Sequence, residues 1–442
     1  MPKRISLTNT SKLLYSLVMK NFYFLKYIFC FLVFLIPSLK ASEYVLVPDS
    51  YLDVQTGELV KGNIFIKDNK IIAISDEKQL LNNKKNIIYL DGLVLVPGLM
   101  DAHVHLIGNN ELNGYQSIGE SSQMATLHGV KNARNTLLAG FTTVRNVGAG
   151  QFADVALRDA IKNGIIEGPT MLVSGPTLSI TGGHGDNNLL PFHNHGSSEK
   201  HSIVDSPWDA RKAVRVNRKY GANLIKFTAT GGVMSKNTDP NARQFTLEEM
   251  IAIVDEAHSH GMKVAAHAHG LKGIQAAIKA GVDSIEHASF IDRAAIKEAI
   301  KNGTYLSMDI YVSDYILGEG VKKGILEESL EKERKVGKIQ RENFKLATTM
   351  GAKMVFGTDA GIYDHGDNAR QFKYMVNWGM TPLQAIQAAT INTADLFGLK
   401  NIGEIKVGYD ADIIGVKTNP INDIGTLENV IFVMKEGKIY KK

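Results

Sequence analysis

The chain is poor in cysteine: a single one, Cys30, occurs in 442 residues. One cysteine forms no intrachain disulfide and cannot build a thiolate zinc cluster. Cys30 also lies inside an N-terminal apolar run and not at its end, which excludes a lipid-anchored cysteine. If that leader is removed, the mature chain has no cysteine, and any metal must be held by histidine and carboxylate. Acidic residues are missing from positions 1–42, where Lys3, Arg4, Lys12, Lys20, Lys26 and Lys40 contribute +6. The formal charge of +5 therefore leaves the remainder at −1, which argues against a phosphate-binding surface and a nucleic-acid partner. A run of apolar residues long enough to span a bilayer is also lacking in the leader, where Tyr27 to Ile36 falls short of a membrane helix.

The leader has instead the layout of a secretory signal peptide, in "KYIFCFLVFLIPSLKAS": Lys26, the apolar run, Pro37, then small residues at Ala41-Ser42. Met19 is an alternative start, since the segment from Met19 is already a complete leader. An uncleaved anchor is the competing reading. The expectation is a secreted or periplasmic protein that meets the membrane only through residues 1–42.

The full chain is 44% hydrophobic and 21% charged, as a folded globular protein requires. Its length suits a large barrel with an accessory domain. Short alternating runs follow the leader ("EYVLVPDSYLDV", "GNIFIKDNKIIAIS", "NIIYLDGLVLVPG"), with turn residues Asp68-Asn69 and Asp91-Gly92 between them. The C-terminal end repeats that pattern in "DADIIGV" and "NVIFVMKEGKIYKK". Residues 43–97 and 402–442 are thus expected to meet in one small β-sandwich.

Between them, over residues 98–401, apolar strand-like runs alternate with helical stretches such as "TLEEMIAIVDEAHSHG" and "LKGIQAAIKAG". Several helices close on glycine. With "VPGLMDAHVHL" the runs number eight, the count that closes a (β/α)8 TIM barrel of the α/β class. The charged stretch "SDYILGEGVKKGILEESLEKERKVGKIQRENF" reads as an excursion after the seventh strand with a solvated helix.

"VPGLMDAHVHL" ends on His103 and His105. Residues i and i+2 of a strand share a face, so the two imidazoles project side by side. Alone, such a pair is as readily a wet strand edge as the start of a metal site. The active site of a TIM barrel lies at the C-terminal strand ends, and other strands end on suitable groups. These are Lys226 in "NLIKFTATGG", His267 in "KVAAHAHG", His287 in "VDSIEHASF" and Asp359 in "AKMVFGTDAG". Six such residues at the ends of five strands do not read as isolated core histidines. For Lys226, a lysine snorkelling or paired with an acid is the lesser alternative, given its apolar run before "TGG".

This ordered set resembles the metal-dependent amidohydrolase superfamily, in its imidazolonepropionase-like and Xaa-Pro-dipeptidase-like branch. Further matching segments are "GFTTVRNVG", "GPTMLVSGPTLSITGGHG", "HGDNARQF", "MTPLQAIQAATINTADLFGL" and "GYDADIIGV". The resemblance implies a centre of two divalent ions, zinc expected. His103, His105 and Asp359 would hold one ion, His267 and His287 the other. Lys226, carboxylated by carbon dioxide, would bridge them, a role open to lysine only as the neutral amine that burial favours. It implies attack on a polarised carbonyl by a bridging hydroxide. Asp359 would be general base and then acid, and His184 would contact the substrate or its oxyanion. His269, Tyr311 and Arg243 are candidate substrate contacts, as are Tyr315 and Arg370, whose alternatives are ordinary loop tyrosines and surface ion pairs.

The reaction implied is hydrolysis of a C–N amide bond, foremost in an Xaa-Pro or Xaa-Arg/Lys dipeptide. An imidazolonepropionase-like or deaminase activity is the enzymatic alternative, against which Lys226 counts, since those mononuclear relatives lack it. A non-catalytic binding protein on the same scaffold is the third reading, though all six ligand positions are kept here. The expected partner is a small molecule or dipeptide. A homo-oligomer stays open, because large barrels often assemble symmetrically. For the leader, N-terminal sequencing of exported protein is expected to begin near Ser42; an intact Met1 or Met19 would contradict cleavage.

Overall fold

The computed structural model describes residues 43–77, 86–191 and 201–442. The leader with Cys30 and the Ala41-Ser42 site lies outside the described residues, as do His193 and His195. Among the described residues no helix is long and apolar enough to cross a membrane.

The two ends of residues 43–442 pair in one mixed sheet. Its strands are β1 (Glu43–Leu52), β2 (Leu59–Val60), β3 (Asn63–Lys67), β4 (Lys70–Ser75), β5 (Ile87–Pro97), and, from the far end, β14 (Ile413–Val416), β15 (Phe432–Lys435) and β16 (Lys438–Lys441). The order is β16-β15-β14-β5-β1-β3-β4, with β2 beside β1. β14 runs antiparallel to β5, matching Ile413 with Pro97 and Val416 with Val94. Strand alternation buries both faces. Leu93, Leu95, Ile413, Phe432 and Met434 join a local cluster. Val94, Val96, Ile414, Val416 and Val433 join the main core. The described strands form one hydrogen-bonded sheet, and its two ends meet: Gly437 lies against the Asp68 carbonyl and the Ala411 N–H donates to the Asn69 carbonyl at 2.8 Å. The local cluster gathers Ile64 and Ile71 with Phe432 and Met434 from those ends.

Eight parallel strands carry that core: β6 (Leu99–Val104), β7 (Phe141–Asn146), β8 (Thr170–Val173), β9 (Leu224–Thr228), β10 (Lys263–Ala268), β11 (Ser284–His287), β12 (Tyr305–Ser307) and β13 (Met354–Val355). They follow sequence order in a three-stranded sheet, β6-β7-β8, and a five-stranded one, β9 to β13. The eight-strand count agrees with the sequence, but the ladder is not closed as a barrel. At the seams, isolated parallel bridges join Leu178 to Phe227 and Val104 to Ala360. The first seam breaks where β8 meets Gly175, at φ +63, and Pro176, which has no N–H to give a ladder.

Helices α1 (Ser122–Leu138), α2 (Ala153–Lys162), α3 (Pro207–Lys219), α4 (Leu247–Ser259), α5 (Leu271–Ala280) and α6 (Arg293–Asn302) connect the strands. Thr246 and Glu249 close a capping box on α4, satisfying two backbone donors reciprocally. Gly281 and Gly303 end α5 and α6 in the left-handed region. After β12 come α7 (Val312–Glu319) and α8 (Glu327–Thr349), then α9 (Arg370–Asn377), α10 (Pro382–Ala388) and α11 (Ile391–Phe397) after β13. α8 is not solvated all round: Leu330, Glu333, Val336, Gln340, Phe344 and Ala347 are buried along one face. Several of these are polar, so hydropathy alone hides the stripe.

The end sheet fixes the strand that bears the first histidines. β5 passes into β6 through Gly98, whose N–H donates to the Asp412 carbonyl at 2.8 Å. A Cβ at Gly98 would come within 2.7 Å of Thr142 Cγ2 and closer still to its hydroxyl. Gly98→Ala is therefore expected to cost about 1–3 kcal/mol by overpacking, read as a lower denaturant midpoint. An unchanged midpoint would show that β6 and β7 separate freely.

Candidate metal centre

The C-terminal strand ends converge on one cavity lined by His103, His105, His184, Lys226, His267, His269, His287 and Asp359. β6 supplies His103 and, one step beyond its end, His105. Their rings lie 5.4 Å apart, and both Nε2 atoms are 3.4 Å from Asp359 Oδ1. β9 supplies the buried Lys226 and β10 His267, with His269 just past the strand. His287 ends β11, its ring 4.6 Å from His267, 4.7 Å from His269 and 4.9 Å from His103.

Two of these positions depend on left-handed backbone. His287 has φ 70° and Asp359 has φ 56°, a region that non-glycine residues enter rarely and at a cost. The consequence is visible at β11. Regular alternation would send Glu286 and His287 to opposite faces, yet both turn inward, Glu286 to His103 and His287 to the cavity.

The donor set fits metal. Three groups bring one donor atom per residue within 4.8 Å of each other: His103, His105, Asp359; His267, His269, His287; and His287, Asp309, Asp359. Each of several rings has one nitrogen already engaged. His103 Nδ1 meets Glu286 Oε2 at 3.0 Å, and His287 Nδ1 meets Asp309 Oδ1 at 2.8 Å. His269 Nδ1 meets Ser289 Oγ at 2.7 Å. A carboxylate or hydroxyl on one nitrogen fixes the ring and leaves the other to a metal, the usual arrangement around histidine ligands.

Burial sets the protonation. It lowers the histidines, His105 and His287 to about 3, with Lys226 adding charge repulsion to both. His103, His267, His269 and His184 are pushed well down, first by burial. Lys226 is lowered to about 8 by burial, opposed by the charges of Glu286 and Asp359. Burial raises Asp359 well above the ordinary carboxylate range, with Asp309 adding repulsion. Neutral imidazoles and an easily deprotonated lysine are the states that ligation needs.

His184 arrives from the segment after β8. Its Nδ1 is 2.7 Å from Ser235 Oγ and its ring lies 4.3 Å from His267. A Cβ at Gly232 would fall on that ring, which explains the second glycine of "TATGG".

The other candidates stand apart. Arg243 is exposed and its backbone pairs with Thr230. It does not line the cavity. Tyr311 is buried with its hydroxyl 3.1 Å from Arg370 Nη1, its ring against Tyr363 and Tyr374. Tyr315 packs near Tyr363 at 5.9 Å. None of these four side chains joins the residues that line the cavity. Of the candidate substrate contacts, His269 and His184 line the cavity itself.

Sequence reading missed the supports. Arg145 on β7 is almost fully buried. It donates to the Ala102 carbonyl at 2.6 Å, to Ser284 Oγ at 3.0 Å and to Glu286 Oε1 at 2.7 Å. Glu286 passes that anchor on to His103. Asp309 is held by Gln340 of α8 at 3.0 Å. The only signal in the sequence was charge inside apolar runs: "TTVRNV", "SIEHA" and "SMDI".

A parallel α/β fold with paired histidine and aspartate clusters at its strand ends defines a metal-dependent hydrolase scaffold. The chain belongs to the amidohydrolase family, whose model matches residues 94–440. It is 34% identical over 371 residues to ochratoxinase of Aspergillus niger, covering 79% of this chain and 76% of that protein. Among solved structures, a Xaa-Pro dipeptidase with methionine bound in its active site is 37% identical at TM-score 0.87, covering 91% of this chain and 100% of that one. A prolidase complexed with N-methylphosphonate-L-proline is 29% identical at TM-score 0.82, with 91% and 100% coverage.

The Arg145–Glu286–His103 chain generates a test. Glu286→Gln leaves the Arg145 charge buried without its partner, a loss of about 3–5 kcal/mol, and frees His103 to turn. Metal affinity is expected to fall roughly 10- to 100-fold, measured by competition with a chelator. The double variant with Arg145→Met is expected to regain stability without regaining affinity. Full affinity in Glu286→Gln would show that the chain does not orient His103.

Proposed function

We propose that the protein is a dipeptidase that cleaves the amide bond before a C-terminal residue, of Xaa-Pro or Xaa-Arg/Lys type. The observation that carries this reading is the pair of donor clusters meeting around Lys226 in one cavity, in a chain similar along its length to a Xaa-Pro dipeptidase. In this reading the eight parallel strands act as a (β/α)8 barrel, and the strand ends would hold two zinc ions. His103, His105 and Asp359 would hold one ion and His267 and His287 the other. Lys226, its neutral amine having added carbon dioxide and lost a proton to give a carbamate, would be the ligand common to both. When bound, the ions supply a Lewis acid for the scissile carbonyl and lower the pKa of water towards neutrality.

The chain's own residues do the rest. Asp359, facing both His103 and His105, takes the proton of the attacking water and delivers it to the leaving amine. His184, held on Nδ1 by Ser235, turns Nε2 towards the cavity to donate to the oxygen on which charge develops. His269, fixed by Ser289, contacts the substrate beside His287. Export through residues 1–42 gives this activity its place outside the cytoplasm, where free dipeptides are scavenged; the leader's composition supports that location.

Lys226→Ala is expected to remove metal and dipeptide turnover together, since both ions lose a ligand. Lys226→Arg is expected to fail as well, because guanidinium stays protonated and forms no carbamate. Acetate or propionate added to Lys226→Ala is expected to restore part of the activity by standing in for the carbamate oxygens. Two metal equivalents per chain with near-normal turnover in Lys226→Ala would overturn the bridged centre and favour a deaminase-like, one-metal chemistry.

A further inference from the structure

We propose that Glu333 determines substrate specificity by receiving the cationic end of a long basic side chain, an assignment that rests on the dipeptidase reading above. Glu333 lies on α8 and lines the same cavity as His103 and Lys226, together with Val312, Ile316, Asp309 and Gln340. It is 3% exposed. Its Oε1 accepts from the Ser313 hydroxyl, and among the described residues it forms no ion pair. Asp309 opposes its ionisation, and Arg341, which favours it, is itself paired with Asp314 at 2.7 Å. A buried carboxylate is costly without a counter-charge, and a substrate cation would supply one.

The fold makes room for this group. Gly337 lies one turn further along α8, and a Cβ there would fall on Ser313 Oγ and within 2.7 Å of Glu333 Oε1. The missing side chain leaves the carboxylate its place beside the cavity. Burial pushes Glu333 up to about 7, so an arriving cation would also favour its ionised form.

The cavity lining selects the kind of cation. Two turns beyond Glu333 on the same face, Gln340 touches Asp309 at 3.0 Å and the His287 carbonyl at 3.2 Å. The Glu333 carboxylate reaches towards Gly337, so it lies nearer to Gln340 than the two-turn backbone spacing of about 10 Å. The apolar Val312 and Ile316 that line the same cavity suit the methylene stem of a lysine or arginine side chain, whose charged end then meets the carboxylate.

The test uses the metal-loaded protein. Ala-Lys and Ala-norleucine differ only by the ε-ammonium, as do free lysine and norleucine. The wild type is expected to favour the lysine member roughly 10- to 100-fold, in kcat/KM and in calorimetric binding, the range of one charged hydrogen-bonded pair. Glu333→Gln is expected to collapse that ratio, and Glu333→Asp to keep part of it, which separates charge loss from misfolding. Equal effects of Glu333→Gln on both members would overturn the assignment while leaving peptide hydrolysis standing. A Glu333-dependent lysine preference in binding, without cleavage of any peptide, would support the assignment and overturn the dipeptidase reading. If the variant instead abolishes discrimination between Ala-norleucine and its N-acetyl form, the α-ammonium is the partner and the side-chain assignment falls.

Discussion

Six imidazoles share one cavity with a lysine, and they must stay neutral to do so. Ring separations of 4.3 to 5.4 Å run from His184 through His267 and His287 to His103 and His105. Charged rings at that spacing would repel strongly in a low-dielectric site. Burial therefore keeps the histidines in the neutral state that a metal would take. The stability this implies has a definite sign. His105 and His287 titrate near 3 in the fold against 6.5 outside it. Metal-free protein holds that stability above about pH 6.5 and loses it as pH falls towards 3.

Neutral rings still need orientation, and the acids beneath them provide it. Glu286 is neutralised by Arg145 and aims His103. Asp309 is held by Gln340 and aims His287. The first arrangement ties β7 to β11 and β6, and the second ties α8 to β11. The excursion that looked solvated is thus part of the centre: one face of α8 holds a metal-ligand support at Gln340 and a cavity carboxylate at Glu333.

The sequence showed the strand ends well, because a histidine or aspartate closing an apolar run is a local pattern. Eight such runs became eight parallel strands, and the ligand residues of "HVH", "IKF", "AAHAH", "IEH" and "GTDAG" meet in one cavity. The supports were not legible. Arg145 and Glu286 stand 141 residues apart, and nothing local says that they pair. The inward turn at His287 comes from a positive φ that no periodicity announces. The end sheet was legible as strands but not in how its ends meet, since alternation reports that two faces are buried and not what covers each. The surroundings of Arg243 and Tyr311 were not legible either: Arg243 is exposed, and the Tyr311 ring packs against Tyr363 and Tyr374.

The central claim is a centre of two ions shared through Lys226. Metal content measured against turnover tests it most directly. Protein stripped by chelation and reloaded in steps is expected to take up two equivalents of divalent metal per chain, with dipeptide hydrolysis complete only at the second. Full activity at one equivalent, with no further uptake, would contradict it.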